Sequence, residues 1–311
     1  MFTEAITPFG NLFKYTFADA DSGNSFSIIP GYGACLTDLV FEGKSILDGY
    51  ATYEELIENK WSKSAFLFPF PNRLKDGVYH FENVRYQFPV NNPATGNAIH
   101  GYGKSLPMEV SEIICDHNRA QVRCTYTGTG ENPSYPFPFS FSVLMTISNK
   151  NTFEVSMSFK NTGTGNMPVG LGWHPYFSIA DSADDIWMQL PACHKVIIDD
   201  RMIPTGEKQF FEDFIEEKSL AGVNLDNCFE VPVGNGRFEM SLRSSLGQLS
   251  YWQETGQGRY PFIQLFTPDH RHSVAIEPMT CNVDAFNNGD GLLILDKGAA
   301  VAGRLGLEWK S

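Results

Sequence analysis

The sequence predicts an all-β protein in which antiparallel sheets stack as a large sandwich and helices are few and short. Apolar and polar residues alternate with a period of two along much of the chain, which is typical of strands with one buried face. Segments with helical character are rare and do not alternate with strands, which disfavours a doubly wound parallel sheet. Because so many strands cannot form one open sheet without curling or splitting, stacked sheets are expected.

The individual elements follow from this alternation. In chain order, the predicted strands are 26–29, 79–88, 120–126, 139–147, 151–159, 186–190, 196–198, 237–243, 248–252, 262–267 and 273–277. The polar residues 149–151 predict a hairpin turn. Two short acidic segments, 53–59 and 210–219, carry the weak helix signals. With no linker-like stretch and no fixed-period repeat, residues 1–311 are expected to form a single domain.

Composition excludes several classes of function. The 23 Lys and Arg residues face 36 Asp and Glu, and the resulting net charge of −13 would repel a phosphate backbone, so no nucleic acid partner is expected. The sequence contains no run of 18 apolar residues, so no membrane-spanning helix is expected. The N-terminus lacks the basic and apolar regions that are typical of a leader peptide. The six cysteines form no Cys-x-x-Cys pair. We therefore expect a cytoplasmic protein with reduced thiols.

Cofactor motifs have little support. The glycine pairs lack the last glycine of a dinucleotide fingerprint, and no phosphate-binding loop is present. His270 and His272 would share one face of a strand and could bind a metal, but the preceding Pro268-Asp269 favours an exposed turn. No cofactor and no metal are expected.

Five reactive side chains stand out by their surroundings. Arg73 lies in a run of aromatic and proline residues, where an unsolvated guanidinium usually has an acceptor. His100 precedes a glycine that would allow close approach of a ligand, and His174 lies between Trp and Pro. Glu277 ends an apolar stretch, where an unpaired charge is costly, whereas Asp226 could instead bond its own turn. Taken singly, each of the Arg and His segments is equally compatible with a packed structural role.

Taken together, these segments resemble a known family in order and spacing. The motifs are Asn72-Arg73-Leu74, 76–81, 97–101, 172–177, Leu225-Asp226 and Ile276-Glu277-Pro278. From about residue 25 to the C-terminus the chain resembles the aldose 1-epimerase (galactose mutarotase) family. The resemblance implies a large antiparallel β-supersandwich. It also implies an isomerase that interconverts the α and β anomers of a free aldohexose without metal or cofactor.

The resemblance also implies roles for the site residues. Glu277 would be the general base, His174 the general acid, and His100 a hydrogen-bonding group near the ring oxygen. A nearby carboxylate would help keep His174 protonated against its desolvation. The resemblance further implies that the sugar hydroxyls are bound by Asn72, Arg73, Asp226 and Gln264. The apolar face of the sugar would be contacted by Trp173 and Phe70. Pro175 stands where many mutarotases carry Ser, so specificity for galactose stays open, as does the choice between monomer and homodimer.

Three alternatives remain at this point. A hexose-6-phosphate 1-epimerase would need several basic residues around its dianionic substrate, and Arg73 is the clear one in a site motif. A carbohydrate-binding protein without turnover would not need both His174 and Glu277. A glycosidase could use Asp226 and Glu277 as its two carboxylates, but it would leave the two site histidines without a role.

Overall fold

The structure, a computed structural model, describes residues 1–234, 236–256 and 258–311 and is built mainly of strands. The first strands are β1 (Thr3–Phe9), β2 (Leu12–Asp19), β3 (Asn24–Ile29), β4 (Cys35–Phe41), β5 (Lys44–Ser45), β6 (Phe66–Leu67), β7 (Arg73–Leu74), β8 (Val78–Phe81), β9 (Val84–Gln87), β10 (Ala98–Ile99), β11 (Glu109–Cys115), β12 (Arg119–Gly128), β13 (Phe139–Ser148) and β14 (Thr152–Asn161). They are followed by β15 (Met167–Val169), β16 (Gly172–Trp173), β17 (Tyr176–Phe177), β18 (Trp187–Gln189), β19 (Cys193–Ile198), β20 (Pro204–Phe211), β21 (Lys218–Ser219), β22 (Asp226–Glu230), β23 (Arg237–Ser244), β24 (Gly247–Glu254), β25 (Phe262–Phe266), β26 (Val274–Met279), β27 (Leu293–Leu295) and β28 (Ala300–Lys310). The all-β prediction is confirmed.

Helices are few and short among the described residues. They are α1 (Tyr53–Glu58) and α2 (Ala285–Asn288), with single 3₁₀ turns at Lys60–Ser62, Lys75–Gly77, Gly103–Ser105 and Ala183–Asp185. The Thr52 hydroxyl caps α1 by accepting a hydrogen bond from the Glu55 amide, which explains why the helix begins there. In the described part of the chain, no helix is long and apolar enough to cross a membrane.

Three large sheets form the body of the molecule. The first has the order β1-β2-β3-β4-β5, and the second, nine-stranded sheet has the order β11-β12-β13-β14-β28-β24-β23-β18-β21. The third has the order β20-β19-β22-β25-β26-β16-β6, with β17 also paired to β26. Pairing within these sheets is antiparallel. Smaller ladders join β7 to β10, β8 to β9 and β15 to β27.

Aromatic residues hold the sheets together. Phe66 of β6 lies 6.2 Å from Phe141 of β13, and Trp173 of β16 lies 6.5 Å from Phe153 of β14, measured between ring centroids. Phe26 of β3 also contacts Phe153, at 5.4 Å. One hydrophobic cluster therefore contains residues of all three large sheets. Each fully buried ring of this kind contributes about 1.5–3 kcal/mol.

The observed burial agrees with the predicted alternation of apolar and polar residues in the strand where that alternation is most regular. Along β13 every second side chain is buried, from Phe139 to Ile147, and the intervening side chains are half-buried. The predicted hairpin after β13 is confirmed by the antiparallel pairing of β13 with β14.

Three sequence expectations are corrected by the structure. The predicted strand 79–88 is the hairpin β8–β9, because Glu82 and Asn83 have φ of 48° and 64° and form a two-residue turn that the alternation hides. The acidic segment 210–219 forms no helix, since Phe211 still pairs with Cys193 at the end of β20. The strand expected to end at Glu277 continues through Pro278 to Met279.

Candidate active site

The candidate site lies on one face of the third sheet. Glu277 in β26 stands directly opposite Gln264 in β25, which in turn stands opposite Cys228 in β22. Asp226 lies two residues before Cys228, so its side chain emerges on the same face. Their strand neighbours Ile276 and Leu265 point the other way, into the main core. Asp226, Gln264 and Glu277 border a cavity of about 370 Å³. Its wall is formed by Trp61, Ser62, Asn72, Arg73, Asn92, Ile99, His100, His174, Tyr176, Asp226, Gln264, Phe266 and Glu277.

The chain presents His174 at a break between the short strands β16 and β17. Both strands pair with β26. On that side of β26 the amide of Ile276 donates to the Pro175 carbonyl and the amide of Thr280 donates to the Leu171 carbonyl. Pro278 lies between these two donors and has no N–H group. The interruption of the partner strand that turns His174 into the cavity therefore leaves no backbone donor of β26 without a partner at this position.

His100 and Asn72 lie side by side at the ends of the β7–β10 ladder. The His100 amide donates to the Asn72 carbonyl at 2.8 Å, and the Asn72 amide donates to His100 Nδ1 at 3.2 Å. His100 is therefore the tautomer with its proton on Nε2, so this ring presents a donor. Both residues have positive φ, as does Gly101, where a Cβ would lie 2.2 Å from the Phe68 carbonyl oxygen.

A buried contact joins the two groups expected to transfer protons. His174 Nε2 lies 3.3 Å from Glu277 Oε1, and both residues are buried, with 5% and 2% of their surface exposed. Among the described residues, His174 Nδ1 and Glu277 Oε2 have no hydrogen-bond partner. Buried polar atoms without a partner are costly, so these two atoms mark positions where a bound ligand would be stabilised.

Burial determines where the proton shared by this pair resides. It lowers the pKa of His174 to about 3. Burial also raises the pKa of Glu277 well above its usual range, an effect that the nearby Asp226 strengthens and Arg73 opposes. Burial thus disfavours the charged form of each group, which favours a neutral His174 ring beside a protonated Glu277. The expectation that a carboxylate keeps His174 protonated is not met in this state.

A chain of hydrogen bonds surrounds the pair. The Asn72 amide group donates to Gln264 Oε1 at 3.3 Å, and Gln264 Nε2 donates to Asp226 Oδ1 at 2.7 Å. Arg73 donates to Asn72 Oδ1 from its own backbone amide and from its guanidinium. Burial raises the pKa of Asp226, while the charge of Arg73 and the bond from Gln264 oppose that rise. This network fixes the orientation of four polar groups toward one cavity.

Seven of the eight predicted site residues border the cavity, and Trp173 does not. Its ring is fully buried against Phe66 at 6.1 Å, because neighbouring residues of a strand point to opposite faces and His174 takes the cavity face. Phe70 is likewise buried, against Phe286. The expectation that these two rings contact a sugar is corrected.

The aromatic wall comes instead from Trp61, Tyr176 and Phe266. Tyr176 stacks on His174, with ring centroids 4.9 Å apart and planes at 15°. Tyr176 lies in the motif at residues 172–177. Trp61 was not predicted as a site residue, although an aromatic residue in a polar segment is a signal that could have indicated it. His270 and His272 lie in the expected turn outside this cavity.

Three side chains of the site could hold a metal ion. His100, His174 and Glu277 each offer a donor atom, and these atoms lie within 4.8 Å of one another, the one such cluster in the part of the chain that the structure describes. Two imidazoles and a carboxylate suit a divalent transition metal. The same three groups can also transfer protons without one.

Comparison with known proteins gives consistent results. A family model described as aldose 1-epimerase matches residues 17–308. An uncharacterised Escherichia coli K12 protein, YihR, is 28% identical over 284 residues, covering 89% of this chain and 88% of its own. A galactose mutarotase-like protein from Clostridium acetobutylicum has a TM-score of 0.87 at 21% identity, covering 100% of this chain and 98% of its own. A galactose 1-epimerase from Lactobacillus acidophilus has a TM-score of 0.83 at 16% identity, with the same coverage. The two solved structures share the fold of this chain.

Proposed function

The chain belongs to the aldose 1-epimerase family, and from this we propose that it interconverts the α and β anomers of a free aldohexose by acid/base opening and closure of the ring. The observation that carries the proposal is the buried contact of 3.3 Å between His174 Nε2 and Glu277 Oε1 at the wall of a cavity. A pair that holds one proton between two groups can supply an acid and a base in the same encounter.

The proposed proton path uses both forms of the pair. When the proton lies on His174, the Glu277 carboxylate removes the proton from the anomeric hydroxyl. The C1–O5 bond breaks with its electrons on O5, His174 protonates O5, and O1 becomes the aldehyde oxygen. The pair is then left with a protonated Glu277 and a neutral His174, the state that burial favours in the free protein.

Closure reverses these transfers. After rotation about C1–C2, O5 attacks the other face of the aldehyde, Glu277 returns a proton to O1, and His174 accepts the proton of O5. Closure therefore restores the ionised Glu277 and the protonated His174 that a new opening needs. From the state that burial favours in the free protein, the proton must first pass from Glu277 to His174, and the charge of Arg73 favours that transfer because it stabilises the ionised Glu277. His100, whose Nε2–H is a donor, would hydrogen-bond the ring oxygen.

The cavity wall supports a free sugar over its 6-phosphate. Arg73 is the one described lining residue with a permanent positive charge, and Asp226 and Glu277 lie on the same wall. A phosphate dianion would need more cations than this. Asp226, Gln264 and Asn72 offer donors and acceptors for neutral hydroxyls, and Trp61 with Phe266 offers an apolar face.

The test is an anomer-exchange assay. Freshly dissolved α-D-glucose and α-D-galactose are followed by polarimetry or NMR with and without the protein, beside glucose 6-phosphate. Faster decay of optical rotation for a free hexose is the expected result. Unchanged decay across a panel of common aldoses would contradict the proposal and favour a sugar-binding protein.

Two broader proposals accompany this one. We propose that residues 1–311 act as one domain, supported by the hydrophobic cluster that includes all three large sheets. We also propose a cytoplasmic location, supported by six cysteines that are all free thiols, five of them buried.

A further inference from the structure

The ladder of β7 and β10 carries part of the candidate site although it is very short. It consists of two residue pairs, Arg73 with Ile99 and Leu74 with Ala98. His100 follows β10 directly, and both Arg73 and His100 border the cavity. A two-stranded ladder of this length is not stable by itself. The position of these two groups therefore depends on contacts outside the ladder.

The end of this ladder that lies away from His100 is closed by Arg201, from the turn between β19 and β20. The Arg201 guanidinium donates from Nη2 to Asp76 Oδ1 at 2.7 Å and to Asn97 Oδ1 at 3.2 Å. The fully buried Asn97 side chain donates back to the Arg201 carbonyl at 2.9 Å. Asp76 lies two residues after β7, and Asn97 immediately precedes β10. One arginine therefore joins the two segments that form the ladder.

Arg201 also holds the loop that leads into β10. Its Nε donates to the Thr95 carbonyl and its Nη2 donates to the Gly96 carbonyl, each at 3.0 Å. The same loop reaches the cavity wall, because the Asn92 carbonyl accepts hydrogen bonds from the amides of Gly96 and Asn97 and Asn92 borders the cavity. Two donors on one edge of the guanidinium thus meet two successive carbonyls. A planar fork can make this match, and a lysine ammonium cannot.

The turn that presents Arg201 is itself fixed to the third sheet. Asp199 Oδ1 accepts hydrogen bonds from the amides of Arg201 and Ile203, each at 2.9 Å. The strands that this turn joins, β19 and β20, belong to the same sheet as β26, which carries Glu277. Arg201 therefore connects the ladder that carries His100 to the sheet that carries Glu277.

We propose that Arg201 is a positioning residue for the candidate active site: it fixes the β7–β10 ladder against the third sheet and so sets where Arg73 and His100 stand relative to Glu277. Arg201 itself does not border the cavity. Its side chain is 38% exposed, and exposed ion pairs contribute little to global stability, so its loss should loosen the ladder without unfolding the chain. The kinetic consequence rests on the proposed function.

The first measurement is amide hydrogen exchange on the full chain, read by mass spectrometry, because it needs no substrate. In Arg201→Ala, exchange should become about tenfold faster in peptides that cover residues 72–77 and 92–101 and should stay unchanged elsewhere. The matched control is Arg243→Ala on the second sheet. Arg243 has a similarly exposed side chain and makes a bidentate pair with Glu217, and its loss should leave exchange in 72–77 and 92–101 unchanged.

The second measurement is anomer exchange with a sugar that the wild type turns over. Arg201→Ala should lower kcat/KM by about ten- to a hundredfold, because groups that are misplaced by a fraction of an ångström lose their orientation toward the substrate. Its melting temperature should match that of Arg243→Ala. Arg201→Lys should lose as much activity, since it keeps the charge without the fork. Added guanidinium ion should restore activity to Arg201→Ala but not to Arg201→Lys.

Several results would overturn the positioning role. In Arg201→Ala these are unchanged exchange at 72–77 and 92–101, faster exchange throughout the chain, or a kcat/KM equal to that of the wild type. Full activity of Arg201→Lys would overturn the requirement for a planar fork. If the wild type turns over no aldose, the proposed function fails, and the exchange measurement alone decides whether Arg201 holds the ladder.

Discussion

Replacing Glu277 by Gln separates proton transfer from every other property of the site. The two side chains have nearly the same size, and Glu277 is 2% exposed, so Gln fills the same space beside His174. The amide cannot take the anomeric proton. Loss of one general acid/base group lowers kcat by about 10²–10⁴, which is about 2.7–5.4 kcal/mol at 1.36 kcal/mol per decade.

Stability should change in the opposite direction. Burial raises the folded-state pKa of Glu277 above its unfolded value, so the stability that this carboxyl contributes is present at pH below about 4.5 and is lost as pH rises through the folded-state pKa. Gln does not titrate. The melting temperature of Glu277→Gln should therefore match the wild type at pH 4 and equal or exceed it at pH 8.

The measurement is polarimetric kcat together with melting curves at both pH values. Glu154→Gln on the exposed face of β14 is the matched control, and it should change neither quantity. A kcat for Glu277→Gln within threefold of the wild type would refute the role of Glu277 as base. A clear fall in melting temperature at pH 8 would refute the argument from burial.

Other predictions follow from the same geometry. Burial lowers the pKa of His174 to about 3 and raises that of Glu277, so kcat should be constant through neutral pH. In acid, kcat should fall only when the pair takes up a second proton, on His174, and in alkali it should fall when the pair loses its one proton, from Glu277. A decrease of kcat near pH 6.5, the ordinary pKa of histidine, on the acid side of the pH–rate profile would contradict this. Trp173→Ala should destabilise the fold by about 3–5 kcal/mol in urea titrations. Trp61→Ala should instead raise KM at least tenfold with a smaller loss of stability. The reverse pattern would contradict the placement of Trp173 in the core and of Trp61 at the cavity wall. Dialysis against EDTA should leave kcat unchanged, while added Zn²⁺ should inhibit by occupying donor atoms of His100, His174 and Glu277; a kcat that EDTA abolishes would contradict a metal-free mechanism.

Several features of the site could be predicted from local sequence alone. Arg73, His100, His174 and Glu277 each stand among apolar, Gly or Pro residues, where a polar side chain needs a reason to be buried. Trp173, which was expected to contact the sugar, could also have been placed from the sequence. Side chains of neighbouring strand residues point to opposite faces, so Trp173 and His174 cannot both face the cavity. A strict reading of that period would have assigned Trp173 to the core.

The sequence by itself determined the antiparallel, strand-built architecture and pointed to the groups that we propose transfer protons, since alternation and short motifs can be recognised along the chain without its fold. Only the tertiary structure decided which side chains share a cavity. Trp61 reaches the wall beside Phe266, from a different part of the chain, through a left-handed turn held by tyrosine hydroxyls. It also decided the direction in which the pKa values of His174 and Glu277 shift, because these values depend on the water that the folded sheets exclude, and exclusion of water is a property of packing rather than of any segment.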